Sequence, residues 1–202
     1  MILHALLIGA LVGVVVGSLG AGGGIVSVPI LVYGLGQDPH QATGLSLIIV
    51  GLTAAVSLAT RARSRNVAWR EGTIFALAGL AGTWAGAALT GFLTGFFGVG
   101  GGFAIVPALH LALRYPMKRA SATSLLVMVI TAAFGLASRT LSGTLTITAE
   151  AVAMVALFTG ASMVGGFVGA RLTARVSNRV LGLVFAALLI IVAASTLAAT
   201  LA

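Results

Sequence analysis

The sequence contains no cysteine, which excludes disulfide bonds, thiol chemistry and thiolate metal sites. Charged residues are also scarce, at 7% of the chain against about a quarter in soluble domains. The three acidic residues, Asp38, Glu71 and Glu150, lie near the ends of apolar segments, so the sequence offers no carboxylate relay, catalytic pair or metal-ligand cluster. We therefore predict that the chain is not an enzyme and that it uses no cofactor and no metal ion.

Long apolar stretches make up most of the sequence. Hydrophobic residues make up 59% of the chain and the mean hydropathy is +1.18, a composition that a soluble fold could not cover with polar surface. The stretches are continuous rather than alternating, so they predict membrane helices and not the strands of an outer-membrane barrel. The fold class is therefore all-α, a polytopic membrane protein. We predict helices over residues 2–19, 42–60, 71–97, 120–137, 147–172 and 179–200, with half-length segments over 25–35 and 103–113.

Basic residues outnumber acidic ones by 11 to 3, which gives a net charge of +8. In a soluble protein this excess would suggest nucleic acid as a partner. Here the basic residues fall in short segments between apolar stretches, as the positive-inside rule expects of loops on the cytoplasmic side. We predict the lipid bilayer as a partner, and no nucleic acid.

The chain contains the same apolar pattern twice. The cluster Gly20-Ala21-Gly22-Gly23-Gly24 returns 78 positions later as Gly98-Val99-Gly100-Gly101-Gly102. The same spacing relates five further pairs: Pro29 and Pro107, Ala42 and Ala120, Ser46 and Ser124, Thr53 and Thr131, Arg61 and Arg139. We infer an internal duplication, with a first repeat over residues 1–90 and a second over residues 91–202.

The loops of the two repeats carry their basic residues at opposite places. The turn before residue 42 has no lysine or arginine, while its counterpart in the second repeat has three. The loop after residue 60 has four arginines, while its counterpart has only Arg139. The positive-inside rule then predicts that the repeats have inverted topology. In transporters with such repeats, glycine-broken or re-entrant segments face one another near the bilayer midplane.

The first repeat ends early. Matches between the repeats continue at a spacing of 83: Gly82 with Gly165, Gly86 with Gly169, and Thr90 with Thr173. The second repeat then goes on to the helix predicted over 179–200, whereas residue 91 already matches the start of the second repeat. Residues 81–90 therefore serve both repeats, and we predict that the segment over 71–97 is a fusion of two helices.

The glycine clusters are the candidate substrate site. A glycine break inside an apolar segment leaves backbone groups that hydrocarbon cannot satisfy, so it persists where it is buried in protein or lines a polar cavity. A short helix follows each cluster, and its first turn presents free N–H groups to an anion. The alternative is structural, since such glycines also permit tight helix crossings.

Hydroxyl side chains near the starts of two predicted helices could add hydrogen bonds to an oxyanion. Serine and threonine in membrane helices also bond to a preceding carbonyl, and this alternative stays open. The complete predicted substrate-binding set is Gly20, Gly22, Gly23, Gly24, Pro29, Thr43, Ser46, Gly98, Gly100, Gly101, Gly102, Pro107, Ser121, Thr123 and Ser124.

On these motifs the chain resembles the sulfite exporter TauE/SafE family of membrane permeases. The resemblance rests on the glycine cluster with its following proline, at 20–29 and 98–107, and on the Ala-x-x-x-Ser starts at 42–46 and 120–124. It implies a multi-pass permease of the bacterial inner membrane for small sulfur-containing anions, such as sulfite or sulfonates. The family pattern would place another helix and loop between Thr90 and Gly91, and this chain lacks them.

Two functions from different classes follow. The first is a secondary permease in which the two repeats rock around a shared anion site, giving alternating access. The second is a membrane scaffold or accessory subunit without transport, including a defective deletion variant, whose glycines serve only helix association. A second copy of the chain is a candidate partner in either case, because it could fill the place of the missing helix.

Overall fold

The computed structural model describes residues 2–21, 23, 27–28, 31–32, 38–62, 66–85, 102–143 and 149–201. These residues form helices and connecting turns, and no strand occurs among them, so the prediction of an all-α fold is confirmed. The helices are α1 (Ile2–Leu19), α2 (Pro39–Ala62), α3 (Trp69–Ala85), α4 (Gly102–Ala112), α5 (Met117–Leu141), α6 (Ala149–Arg175) and α7 (Asn178–Leu201).

Three stretches of the described helices are long and apolar enough to cross a membrane. They are Gln41–Ala62, Met117–Leu141 and Val155–Arg175. Large hydrophobic side chains also cover the outside of the bundle: Leu7 is 63% exposed, Val164 65% and Leu183 65%. Helices that are apolar on their outer faces as well as their inner ones are typical of a membrane protein. The predicted polytopic membrane protein is therefore confirmed.

The helices begin and end close to the predicted positions. α1 has the predicted bounds, whereas α2 begins at Pro39 and not at residue 42. The reason is that proline is favoured in the first turn of a helix, where its fixed φ fits and no N–H is needed. α5 similarly begins directly after Pro116, three residues earlier than predicted. Most of the segment predicted over 25–35, and residues 86–97 of the predicted fused helix, lie outside the described residues.

α1 and α6 pack side by side, running in the same direction. Gly9 faces the Phe158 carbonyl, where an added Cβ would lie 2.9 Å from the oxygen, and Gly17 faces Gly166 about two turns further along both helices. From the other side, Gly165 faces the carbonyl of Ala10. Side chains at these positions would collide with the opposing backbone, so glycine is what allows the close approach. The four-residue spacing of Gly9, Gly13 and Gly17 predicts a small-residue stripe that packs against protein, and these contacts confirm it.

α2 and α5 occupy equivalent places in the two repeats, and they cross antiparallel. Near their middles, a Cβ added to Gly51 would lie 3.0 Å from the Cβ of Ala132. At one end the guanidinium of Arg61 donates to Ser121 Oγ at 2.7 Å. At the other end Arg139 donates to Thr43 Oγ1 at 2.9 Å.

These two end contacts are the same contact made twice. Arg61 and Arg139 are 78 positions apart in the sequence, and so are Thr43 and Ser121. Each arginine therefore reaches the hydroxyl that is equivalent to the one its counterpart reaches. A two-fold relation between antiparallel helices produces such a reciprocal pattern. The inverted topology predicted from loop charge is thus present in this helix pair.

Basic residues gather at one end of the bundle. Here the end of α2, the start of α5 and the end of α6 meet, because Arg61 reaches Thr173 and Lys118 Nζ donates to the Ala174 carbonyl at 3.1 Å. We call this the basic end. Among the described arginines and lysines, Arg139 alone lies at the opposite end of α5. From the positive-inside rule we expect the basic end to face the cytoplasm.

Candidate functional site

A buried arginine organises the site at the basic end. Arg61 lies in the last turn of α2 and is 6% exposed. Its Nη1 donates to Ser121 Oγ at 2.7 Å, and its Nη2 donates to Thr173 Oγ1 at 2.7 Å, to the Ser18 carbonyl at 2.9 Å and to the Gly17 carbonyl. These acceptors come from α5, α6 and α1. One guanidinium therefore ties the ends of three helices to the end of α2.

The guanidinium is a suitable group for this position. Its five N–H donors lie in one plane and point outwards, so a single side chain can satisfy several buried oxygens at once. The carbonyls of Gly17 and Ser18 are at the end of α1, where the last backbone carbonyls of a helix have no partner within it. A cation is also favoured there by the helix dipole. Arg61 thus caps α1 from a neighbouring helix.

A small cavity lies beside this arginine. Its volume is about 50 Å³, several times the ~10–15 Å³ that one water molecule requires. Two cationic side chains line it, that of Arg61 and that of the half-buried Lys118. The full lining is Arg61, Asn66, Lys118, Ala170, Thr173 and Ala174.

The predicted hydroxyl residues at the start of α5 are buried, and their hydrogen bonds go to protein groups. Ser124 Oγ contacts the Ser121 carbonyl at 2.9 Å and the Gly20 carbonyl at 2.6 Å. Ser121 Oγ accepts from Arg61 and contacts the Lys118 carbonyl at 3.3 Å. The alternative role considered for these hydroxyls, bonding to preceding carbonyls, is therefore the one that the contacts of Ser121 and Ser124 fit.

The other hydroxyls of the predicted set behave similarly. Thr123 Oγ1 accepts a hydrogen bond from the backbone N–H of Ala68 at 3.1 Å, which fixes the start of α3 against α5. In α2, Ser46 Oγ bonds to the Thr43 carbonyl at 2.8 Å, and Thr43 Oγ1 accepts from Arg139. Thr123 thus joins α5 to the start of α3, and Thr43 accepts from Arg139 as Ser121 accepts from Arg61.

The first glycine cluster reaches this same region. Gly20 has φ +65°, a left-handed conformation that side chains rarely adopt, and an added Cβ would collide with the Ser121 carbonyl. Gly20 therefore ends α1 directly against the start of α5. Gly23 is buried, and a Cβ there would lie 2.8 Å from Val16 and 3.0 Å from Val50. Two predicted site glycines thus lie in tight protein surroundings.

The second glycine cluster is described only at its edge. Gly102 begins α4, and Pro107 lies inside that helix, near its middle rather than in its first turn. With 11 residues α4 is about 16 Å long at ~1.5 Å per residue, half of a bilayer core. It therefore has the length predicted for a half-helix. The remaining predicted site residues, Gly22, Gly24, Pro29, Gly98, Gly100 and Gly101, lie outside the described residues.

Sequence reasoning missed the central member of this site. The sequence predicts only a role in orienting helices for Arg61 and Lys118, because a positive charge between two apolar stretches is the usual positive-inside signal. One signal could have separated Arg61 from the others. Arg61 and Arg139 occupy equivalent positions in the two repeats. Repeats of opposite orientation have equivalent loops on opposite sides of the membrane, so a charge that only orients a helix would be expected in one of the two repeats and not in both.

Comparison with known proteins identifies the family. A profile described as "Sulfite exporter TauE/SafE" matches residues 5–90 and again residues 85–196, which together make up nearly the whole chain. The chain belongs to the TauE/SafE family. A "Probable membrane transporter protein" of Xylella fastidiosa strain Temecula1 is 32% identical to it, over 91% of this chain and 92% of the relative. No solved structure matches it significantly.

Two further relatives, each aligned over a smaller part of this chain, carry similar names. A probable membrane transporter protein of Methanocaldococcus jannaschii is 26% identical over 66% of this chain and 70% of its own length. The probable membrane transporter protein YunE of Bacillus subtilis is 32% identical over 52% of this chain and 36% of its own length. The family and these names indicate a multi-pass membrane transporter rather than an enzyme.

This TauE/SafE chain is shorter than its Xylella relative. The alignment occupies 244 positions, although the whole chain has 202 residues. The matched 91% of 202 residues is about 184, so about 60 positions hold a residue in the relative and none in this chain. A deficit of this size fits the predicted absence of one helix with its loop and parts of the flanking helices. The repeat boundary between residues 90 and 91 stays a prediction.

Proposed function

We propose that this chain is a secondary permease of small sulfur-containing anions, such as sulfite or sulfonates, in the bacterial inner membrane. The substrate class comes from the family description and from the glycine-broken segments predicted to bind an anion. The observation that carries the proposal is the reciprocal pair of arginine contacts, Arg61 with Ser121 and Arg139 with Thr43. They join the equivalent helices of the two repeats at opposite ends.

Those contacts suggest how access could alternate. In inverted-repeat transporters, two conformations interconvert when the repeats exchange roles, opening one side while closing the other. The Arg61 contact is buried at the basic end, whereas Arg139 is half-buried at the other end. The basic end is thus the more tightly closed one in this conformation. In the opposite conformation we expect the Arg139 contact to be the buried one and the Arg61 contact to be open.

Transport itself is testable in vesicles. We expect purified protein in liposomes to carry sulfite, and Gly23→Leu to reduce uptake to the rate of protein-free vesicles. The physical reason is that Gly23 is enclosed by Val16 and Val50, with no space for a side chain beside the first glycine cluster. Uptake of radiolabelled sulfite measures the effect.

The matched control is Gly160→Leu. No atom lies within 4 Å of a Cβ added to Gly160, which is exposed on the outside of α6. We expect this variant to transport like the wild type. If wild-type vesicles carry no sulfite or sulfonate while the protein extracts with a stable partner, the chain is a scaffold and the proposal is wrong.

The absence of cysteine allows a direct test of alternating access. Thr43→Cys and Ser121→Cys place single thiols at equivalent positions near opposite ends of the α2–α5 pair. We expect a membrane-impermeant maleimide to label each thiol only when its own end is open. Addition of sulfite should then raise labelling at one position and lower it at the other. Changes in the same direction at both positions would contradict a rocking mechanism.

A further inference from the structure

The structure holds a second candidate for anion recognition, built from side-chain charge rather than from glycine. It is the cavity of about 50 Å³ at the basic end, between the end of α2, the start of α5 and the end of α6. We propose that this cavity, lined by Arg61 and Lys118, is a binding site for one small oxyanion. This inference deepens the proposed function and rests on it for the class of substrate.

The first argument is the charge of the cavity. Two of its lining side chains, Arg61 and Lys118, are cationic, and none of the lining residues is acidic. Low-dielectric walls strengthen the field of charges that line a cleft, so an anion is concentrated there and a cation is excluded. The lining alanines, Ala170 and Ala174, supply such a wall on the α6 side.

The second argument is that the cationic groups are held in position. Arg61 is fixed by hydrogen bonds to three other helices, so its orientation would not need to be ordered when an anion arrives. The backbone N–H of Lys118 donates to Asn178 Oδ1 at 3.1 Å, which ties the start of α5 to the start of α7. Preorganised donors of this kind retain more of their interaction energy as binding affinity.

The third argument is hydrogen-bonding capacity. An ammonium group has three donors, and the Ala174 carbonyl takes one of those of Lys118 among the described contacts. Thr173 lies in the same lining, and its Oγ1 contacts the Gly169 carbonyl at 2.9 Å while receiving Arg61. The threonine thus directs the guanidinium, and the ammonium offers its remaining protons to a ligand.

The cavity also adjoins the moving parts of the proposed mechanism. Arg61 makes the contact with Ser121 that joins α2 to α5 at this end, and Gly20 packs against the same serine. An anion beside Arg61 would compete with the neutral Ser121 hydroxyl for a guanidinium proton, because a hydrogen bond between two ionised groups is stronger, while the bonds to Ser18 and Thr173 keep the guanidinium in place. Binding would therefore favour separation of the two helices, which couples occupancy of the site to opening of the basic end.

Binding in detergent tests the site without requiring transport. We would titrate the purified full chain with sodium sulfite by isothermal titration calorimetry, under argon and at low ionic strength. The chain has no disulfide for sulfite to cleave. We expect saturable binding, and about a tenfold loss of affinity in Lys118→Gln, the change that the loss of a charged hydrogen bond gives. Arg61→Gln should lose at least as much.

Arg179→Gln is the matched control, because Arg179 is exposed at the same end but does not line the cavity. It should bind sulfite within twofold of the wild type. Lys118→Gln keeps the test decisive if Arg61→Gln does not fold, since Lys118 is only half-buried. The site is wrong if the wild type shows no saturable binding, if Lys118→Gln binds like the wild type, or if Arg179→Gln loses as much affinity as Lys118→Gln.

The two proposals fail in different ways. If wild-type vesicles transport sulfite while Lys118→Gln binds it unchanged, the cavity is not the site and the permease function stands. If sulfite binds in a Lys118-dependent way but no vesicle transports it, the site stands and the permease function is wrong.

Discussion

Replacing Gly165 with alanine should destabilise the folded bundle by about 1–3 kcal/mol, the range for overpacking a close contact. A Cβ at this position would collide with the Ala10 carbonyl and would lie 3.0 Å from the backbone nitrogen of Val14. Both groups belong to the α1 backbone, so no side chain can rotate away and the two helices must separate. Separation would loosen the most extensive helix contact among the described residues, in which Gly13 and Gly17 of α1 also face α6.

The control reverses the sign of the effect. Gly160 lies on the same helix with nothing within 4 Å of an added Cβ, so Gly160→Ala gains helix propensity worth up to about 1 kcal/mol. The fraction of folded protein across an SDS titration in mixed micelles measures both variants. Equal shifts for Gly165→Ala and Gly160→Ala would mean that α1 and α6 are not packed as described.

Replacing Arg61 with alanine should cost about 3 kcal/mol, because its loss leaves buried oxygens without their donor. The Gly17 and Ser18 carbonyls at the end of α1 and the hydroxyls of Ser121 and Thr173 all receive this side chain. Each bond joins α2 to another helix. We therefore expect a larger loss than truncation of a surface arginine would give.

Arg139→Ala is the natural comparison, since the duplication places Arg139 in the equivalent position. Arg139 is only half-buried, so water can replace the partners that its guanidinium loses, and the loss of its hydrogen bond to Thr43 should cost about 1 kcal/mol. The same SDS titration compares the two variants. A cost for Arg139→Ala equal to that for Arg61→Ala would show that the repeats are energetically equivalent, and would contradict the asymmetry between a closed basic end and a less tightly held opposite end.

Part of the site could be predicted from the sequence. The stripe of Gly9, Gly13 and Gly17 indicates a close helix contact because the spacing of four residues puts small residues on one face. The repeated Ala-x-x-x-Ser motif places Ser46 and Ser124 near the starts of α2 and α5, where the structure has them. In both cases the information is local, carried by residues within one helix.

Other features could not be predicted because they depend on distant residues. The glycine stripe does not reveal that its partner is α6, whose facing glycines lie about 150 positions later in the chain. In the sequence, Arg61 looks like an ordinary basic loop residue. It is buried because helices that carry Ser121, 60 positions away, and Thr173, 112 positions away, pack against it. The cavity beside Lys118 exists for the same reason.

The sequence by itself determined that this is a helical membrane protein, and it predicts two repeats from an apolar pattern that occurs twice with opposed loop charges. The length of an apolar segment and the arginines beside it decide how that segment inserts into a bilayer, so insertion can be predicted from each segment alone. The tertiary structure alone decided that α1 runs parallel to α6 and that an arginine from the end of α2 is buried among four helices. Those features arise from the fit of one helix surface against another, which no single segment encodes.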